Sequence, residues 1–287
     1  MKTNSTKDPQ FMAAMASLMA ESLSKESGLY ALAEAVAPVI KMDIERKNIV
    51  PLVLTEHTLK PGNEAKYQKR AALRAFYIGV GGQPHRQEVN ADTEVIFPIF
   101  RIHANPEVDI SDLANGNIGA ITDMQTDAAS AIRNKLNSKI VDLLSAAAAT
   151  LPTTNVVTVS GGKLTDTALF TAISRINDME LTPRYLLIRG SRVIDLKDFN
   201  LDPESRREFV EKGILNRLQG AGLINSASMK TDEVILIPDA EVGKYAIRTP
   251  LKVDPERKGF KVSFLSWQEC AMGITRPDLV FKVVITA

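Results

Sequence analysis

The chain has 287 residues, 45% hydrophobic and 24% charged, with 35 Lys and Arg against 34 Asp and Glu for a net charge of +1. That is ordinary globular composition, enough to bury a core without staples, and it lacks the basic excess that counterion release gives a duplex reader. The lone cysteine, Cys270, excludes an intrachain disulfide or multi-cysteine zinc site and fits a reducing compartment, and no run approaches the ~20 apolar residues of a membrane span.

Residues 1–10 are polar and read as an arm. Phe11 to Ala20 reads as an amphipathic helix, not a signal peptide, because Asp8 interrupts the basic flank and Glu21 follows at once. The stretch to Val39 predicts one or two short helices, broken near Ser27-Gly28 and ending before Pro38. Ile49 to Leu54 predicts an edge strand around Pro51. From Glu56 to Asp92 the chain turns polar and basic for roughly 37 residues, with Lys60, Lys66, Lys69, Arg70, Arg74 and Arg86. So long an excursion between strands is usually an interaction element rather than core. Glu94 to Arg101 returns as a strand.

From Ile118 to Leu144 apolar residues recur every three or four positions, which predicts one helix over Ile118 to Ala149, about 48 Å long. Asp123, Arg133, Lys135, Asn137 and Asp142 fall on its opposite face, toward solvent or a neighbour. Strands are predicted at Asn155–Ser160, Tyr185–Ile188, Val234–Pro238, Tyr245–Arg248, Phe260–Trp267 and Leu279–Ile285. Helices are predicted at Leu164–Met179, with Leu169, Phe170, Ile173 and Ile176 on one face, at Ser191–Phe199, and at Pro203–Lys212. The layout is mixed α+β rather than a regular alternation.

The search for chemistry is negative. His57, His85 and His103 lack metal-ligand spacing, and the first two read as solvent-exposed. Cys270 lies in a strand-rich region and reads as a packed thiol. Ser160-Gly161-Gly162-Lys163 lacks the first glycine and the hydroxyl residue of a phosphate loop. Glu204, Arg206, Arg207, Glu208 and Lys212 hold opposite charges at helical spacing, either a solvated face or a salt-bridge surface in an oligomer. Tyr67 and Phe76 lie among or beside the cations at 60–74 without a second stacking platform at a regular interval, so an arm lying on a neighbouring subunit is favoured over single-strand binding.

Arm, long basic loop, over-long helix and α+β remainder, in that order, resemble the tailed-bacteriophage major capsid protein of the Hong Kong 97-type fold. The tail of the chain adds Lys258-Gly259-Phe260-Lys261-Val262, Ser266-Trp267-Gln268-Glu269, and a Gly-x-x-Arg-Pro turn, Gly273 to Pro277, before the last strand. The resemblance implies an N-terminal arm and helix at 1–48, an extended β-hairpin loop at 49–102, and a peripheral domain with a spine helix at 103–159. It implies an axial domain at 160–255 and a return to the peripheral sheet at 256–287. It implies a non-enzymatic structural protein, without cofactors, that forms pentamers and hexamers in an icosahedral shell around double-stranded DNA. Expected partners are a portal protein and a separate scaffolding protein, with assembly in the host cytoplasm and residence in the virion. Subunit contacts are expected from Lys60, Lys66, Tyr67, Lys69, Arg70 and Arg74 in the loop and from Glu204, Arg206, Arg207 and Glu208 in the axial domain. No partner asparagine or catalytic glutamate is identifiable, so lysine–asparagine crosslinking is not expected. The alternatives are an encapsulin-like compartment, a tail or tube subunit, and an α+β enzyme.

Overall fold

A computed structural model describes residues 13–14, 17–21, 26–60, 62–68, 94–199, 217–218 and 220–286. Helix α1 (Glu26–Arg46) buries Leu29, Leu32, Ala33, Val36, Ile40 and Ile44, the spacing of one helical face. It is not broken at Ser27-Gly28, and it runs through Pro38 instead of ending there. Proline removes one backbone hydrogen bond. Pro38 is exposed, while Val36 and Ile40 on either side are fully buried and hold both halves of the helix on one core.

Ile49 to Leu54 is not a strand either. It forms the helical turn α2 (Val50–Val53), with Pro51 in the first turn, where a missing N–H has no intrahelical partner to lose. The Asn48 side chain accepts from Val50 N at 3.1 Å. Strand β1 (Thr55–Thr58) follows. Strand β2 (Ala65–Gln68) pairs antiparallel with β3 (Glu94–Phe97), and these two form the root of a hairpin. Strands β4 (Phe100–Ala104) and β5 (Glu107–Asp109) and the short helix α3 (Ile110–Ala114) lead into the long helix.

Helix α4 (Ile118–Ala149) has the predicted bounds, and the Asn117 side chain caps its start by accepting from Ala120 N. Ile121, Met124, Ala128, Ile132, Leu136, Ile140 and Leu144 form its buried stripe. Asp123, Lys135 and Asp142 face solvent as expected, but Asn137 is buried and Arg133 half-buried. Asn137 Oδ1 accepts from Ile49 N at 3.1 Å, and its Nδ2 donates to Lys47 O at 3.3 Å. Arg133 Nη1 donates to Asp43 O at 3.2 Å. These two polar side chains therefore clasp the end of α1 and the turn after it. That polar use of a helix flank is what hydrophobic periodicity does not register.

The helical turn α5 (Pro152–Asn155), β6 (Val156–Ser160), α6 (Asp166–Asn177), β7 (Pro183–Ile188), a 3-10 helix (Gly190–Asp198), β8 (Arg217–Leu218), β9 (Ala221–Asn225) and β10 (Glu233–Pro238) come next. On α6, Leu169, Ile173 and Ile176 are buried with Ala168 and Ala172, but Phe170, one residue off that face, is exposed. The predicted helix at 203–212 lies outside the described residues. Two long strands, β11 (Gly243–Lys258) and β12 (Lys261–Ile274), and then β13 (Phe281–Thr286) complete the chain.

The strands form two main sheets. One has the order β6-β13-β10-β7-β9-β8; the other runs β1-β11-β12-β4, with β5 on the far end of β12. Helices α1 and α4 pack against the second sheet, and α6 against the first. The chain changes sheet near Val242, and β11 pairs with β12 from Gly243 onward. The final strand joins the sheet of β6. It sits between β6 and β10, where its largely buried run of Phe281 to Ile285 is covered on both faces.

Two polar ties lock the last strand region in place. Asn155 Nδ2 donates toward the carbonyls of Pro277, Asp278 and Val280 at 3.0, 3.1 and 2.9 Å. Lys282 is buried, with Nζ 3.2 Å from Glu233 Oε1 and 3.3 Å from Ser145 Oγ on α4.

Candidate functional site at the root of the hairpin

The hairpin root lies on one face of the β11–β12 ladder. Its contact is built from size complementarity. Ala246 and Ala271 are opposite one another in the ladder, as are Lys244 and Gly273, so small side chains leave a shallow seat. Phe97, at the end of β3, fills it and is 5% exposed. A Cβ on Gly273 would stand 2.6 Å from Phe97 Cζ and closer still to Cδ1 and Cε1, so only glycine admits the ring. Tyr67 of β2 tilts against Phe97 at 5.1 Å between centroids, and His57 of β1 against Tyr67 at 6.1 Å. Lys244 Nζ stands 5.2 Å from the Tyr67 centroid.

His57 is thus half-buried in an aromatic stack, not solvent-exposed, because the hairpin root folds back over β1. Its Nε2 and the Tyr67 hydroxyl are both buried without a hydrogen-bond partner among the described residues. Burial raises the pKa of that hydroxyl. Beside the root is a cleft of about 400 Å³ lined by Lys66, Tyr67, Glu241, Lys244 and Arg276. Its cations have carboxylates of their own chain: Lys66 Nζ meets Glu64 at 3.0 Å, Lys244 meets Glu241 at 3.4 Å, and Arg276 meets Asp278 at 2.6 Å. The hydrogen bond that Lys66 donates to Glu64, and that carboxylate's charge, raise the Lys66 pKa, and the hydrogen bond that Arg276 donates to Asp278 does the same for Arg276.

Of the residues predicted to touch a neighbour, Lys60 and Lys66 are exposed at this root, and Tyr67 is half-buried in the stack. Lys69, Arg70 and Arg74 lie outside the described residues, as do Glu204, Arg206, Arg207 and Glu208. Sequence reasoning missed the seat itself. Its one local sign was the run of small residues, Ala271 and Gly273, on one face of a strand.

Further along the same ladder, Glu269 accepts from Arg101 Nη2 at 2.7 Å, Arg248 Nε at 2.9 Å and Thr249 Oγ1 at 3.1 Å. These bonds, Arg101 first, lower its carboxyl to about 2. The Arg101 guanidinium stacks 4.3 Å from the Trp267 centroid, and Trp267 Nε1 donates to Asp254 at 2.6 Å. Cys270 is a packed thiol as expected: burial pushes it up to about 12, with Tyr245 and Gln268 beside it opposing the rise. Among the described residues no group of three or more His, Cys, Asp or Glu could hold a metal ion, and no helix is long and apolar enough to cross a membrane. The arrangement fixes the position of the β2–β3 pair on the ladder.

Comparison with known proteins gives the same direction. Residues 107–243 match the model of a family described as phage capsid protein. No curated protein matches the sequence. Among solved structures, the chain is similar to the capsid of the cyanophage P-SCSP1u, with a TM-score of 0.63 at 14% identity, over 82% of this chain and 86% of that one. It is similar to a chain from Gordonia phage Cozz, with a TM-score of 0.60 at 12% identity, over 84% and 87% of the two chains. It is also similar to a virus-like particle from Pyrococcus furiosus, with a TM-score of 0.57 at 14% identity, over 86% and 97%. The α+β class and the resemblance to the Hong Kong 97-like capsid fold are borne out.

Proposed function

We propose that this structural capsid protein of the tailed-phage type assembles as pentamers and hexamers into an icosahedral shell around double-stranded DNA. The observation that carries the proposal is the hairpin root. The strand pair of 65–68 and 94–97 is seated by Phe97 over Gly273 and braced by Tyr67, and in sequence it brackets the basic stretch that follows Tyr67. Such a root would give a contact with an adjacent copy a fixed starting point on the protomer. Lys66 is engaged by Glu64 in its own chain, so Lys60, Lys69, Arg70 and Arg74 are the cations offered to a neighbour's carboxylates. The sheet of β6 to β10 would form the axial part, bringing Glu204, Arg206, Arg207 and Glu208 to contacts around the capsomer axis. Helix α4 and the β11–β12 ladder would form the peripheral part. Each contact can be weak, because a closed shell repeats it many times. No catalysis is required of the chain. A net charge of +1 fits a wall that does not clamp packaged DNA. A portal and a separate scaffolding protein complete the assembly in the host cytoplasm.

The similarity to a virus-like particle keeps one second reading open, a compartment of the same fold enclosing protein cargo. Negative-stain electron microscopy with light scattering, on the chain expressed alone and with candidate scaffolding protein, tests both. Closed shells, or uniform pentamers and hexamers, are expected, with DNA recovered from shells filled in the host. Gln at Lys60, Lys69, Arg70 and Arg74 together should reduce assembly and leave the circular dichroism of the protomer unchanged. A chain that stays monomeric under all conditions refutes the proposal; shells with protein cargo and no DNA support the second reading.

A further inference from the structure

Phe260 is the most exposed large apolar side chain among the described residues, at 87%. It stands at the tip of the β11–β12 ladder, beside Gly259, whose φ of 60° makes the tight turn. The tip is not loose. Lys258 and Lys261 pair across it, Phe260 O accepts from Ile110 N at 2.9 Å, and Lys261 Nζ meets Glu107 at 3.1 Å. A ring fixed in water by its own backbone is a knob without a hole.

A fitting hole exists elsewhere on the molecule. Between the end of α1 and the middle of β11 lies a mainly apolar pocket of about 90 Å³, with Ile44, Pro51, Ile247 and Leu251 among its walls. Glu45 and Glu56, both exposed, also border it. A closed cavity of ~150 Å³ holds benzene, so this open one has room for the leading edge of a phenyl ring. The charges also match. Arg257, Lys258 and Lys261 flank the knob, and Arg257 and Glu56 have no ion-pair partner among the described residues. Lys41 meets Glu45 at 3.7 Å, an exposed i,i+4 pair that exchanges easily. The knob cannot fill the hole of its own chain. Seven strand steps separate Leu251 from Lys258, roughly 23 Å at ~3.3 Å each, and the ladder holds them extended.

We infer that Phe260 of one copy inserts into the pocket between Ile44, Pro51 and Leu251 of a second copy. The two surfaces differ, so the contact is head-to-tail, the kind that closes into rings when the rotation allows. This inference rests on the shell reading and adds a specific contact to it.

Site-directed crosslinking in assembled particles tests it. Phe260→Cys and Glu45→Cys are both at exposed positions, so neither threatens the fold. The native Cys270 is buried and its thiol is held protonated, which keeps it silent. With a short bis-maleimide, the double variant should give crosslinked ladders of two and more chains, and neither single variant should. Phe260→Ala should raise the concentration needed for assembly about tenfold, equivalent to ~1.4 kcal/mol. Crosslinking by Phe260→Cys alone would mean that tip meets tip, and overturns the inference. Wild-type shells with no crosslink in the double variant overturn it and leave the shell reading intact. A wild-type chain that stays monomeric under all conditions overturns both.

Discussion

Gly273 makes the sharpest test of the hairpin seat. In Gly273→Ala the new methyl would fall within 2.6 Å of Phe97 Cζ and nearer to two other ring atoms, so the ring must leave its place. Gly273 sits in a regular strand register opposite Lys244, and its φ is not positive, so alanine meets no backbone obstacle. Without the ring, the substitution would stabilise by about 0.4–1 kcal/mol, through a less flexible unfolded chain. With the ring present, overpacking a buried site costs about 1–3 kcal/mol, and losing the burial of Phe97 is of the same size. The net expectation is a loss of about 1–2 kcal/mol. The background of Phe97→Ala reverses the sign, since the obstacle is gone. Urea unfolding of the four members of that double-mutant cycle measures the coupling. Hydrogen exchange across 65–68 and 94–97 locates it: amide protection should fall there in Gly273→Ala and hold in β13. Equal stability and unchanged protection in Gly273→Ala would refute the seat.

Two further predictions concern charge. Lys282→Ala leaves Glu233 buried at 8% side-chain exposure, and breaking such a pair costs about 3–5 kcal/mol; Lys230, 3.6 Å from the same oxygen, should keep the loss near the lower end. Lys282→Met with Glu233→Leu should recover most of it in thermal unfolding, and no recovery would mean that packing, not charge, dominates there. Glu269 has a folded pKa of about 2, below the ~4.3 of an unfolded glutamate. It therefore adds stability that is complete above pH ~4.3 and fades as pH falls toward 2. Glu269→Gln should be less stable than wild type at neutral pH and converge with it near pH 2; parallel urea midpoints across that window would contradict the two-arginine clasp.

What could be read from the sequence follows from how local each signal is. Helix α4 was legible because its period persists for 32 residues, more than enough for the stripe to exceed chance. Strand β10 was legible as a continuous apolar run, and all six of its residues are buried. The run from Ile49 to Leu54 was misread because a short apolar stretch fits strand and helix equally. What decides it is remote: Asn137, 88 residues away, accepts from Ile49 N and fixes the turn. Pro38 was misread for a related reason, since burial of its helical neighbours outweighs one lost hydrogen bond. The seat was invisible because it joins Phe97 to Gly273, and a lone glycine in a strand signals close approach without naming the approaching group. His57 was misplaced by the same blindness, since its stack needs three strands brought together.

The pattern of ion pairs says where assembly energy must come from. At the hairpin root Lys66, Lys244 and Arg276 each meet a carboxylate of their own chain, the first pair exposed and the other two partly so, and exposed pairs contribute about 0–1 kcal/mol. They leave little net charge for a neighbour to neutralise. What the root supplies is order. Fixing one residue's backbone costs about 1–2 kcal/mol, so a hairpin that had to be ordered on contact would forfeit most of a weak interface. With Phe97 seated and Tyr67 stacked on it, that cost is met for residues 65–68 and 94–97 when the protomer folds. The polar ties at Asn137, Asn155 and Lys282 extend the same logic to the body. Each joins segments more than 40 residues apart, and Lys282 links the last strand to the long helix. A protomer stiffened in this way can use small, repeated contacts at its exposed projections. The same stiffness predicts a division among variants: changes at the ties should lower the stability of the single chain, whereas changes at the projections should alter assembly and leave that stability untouched.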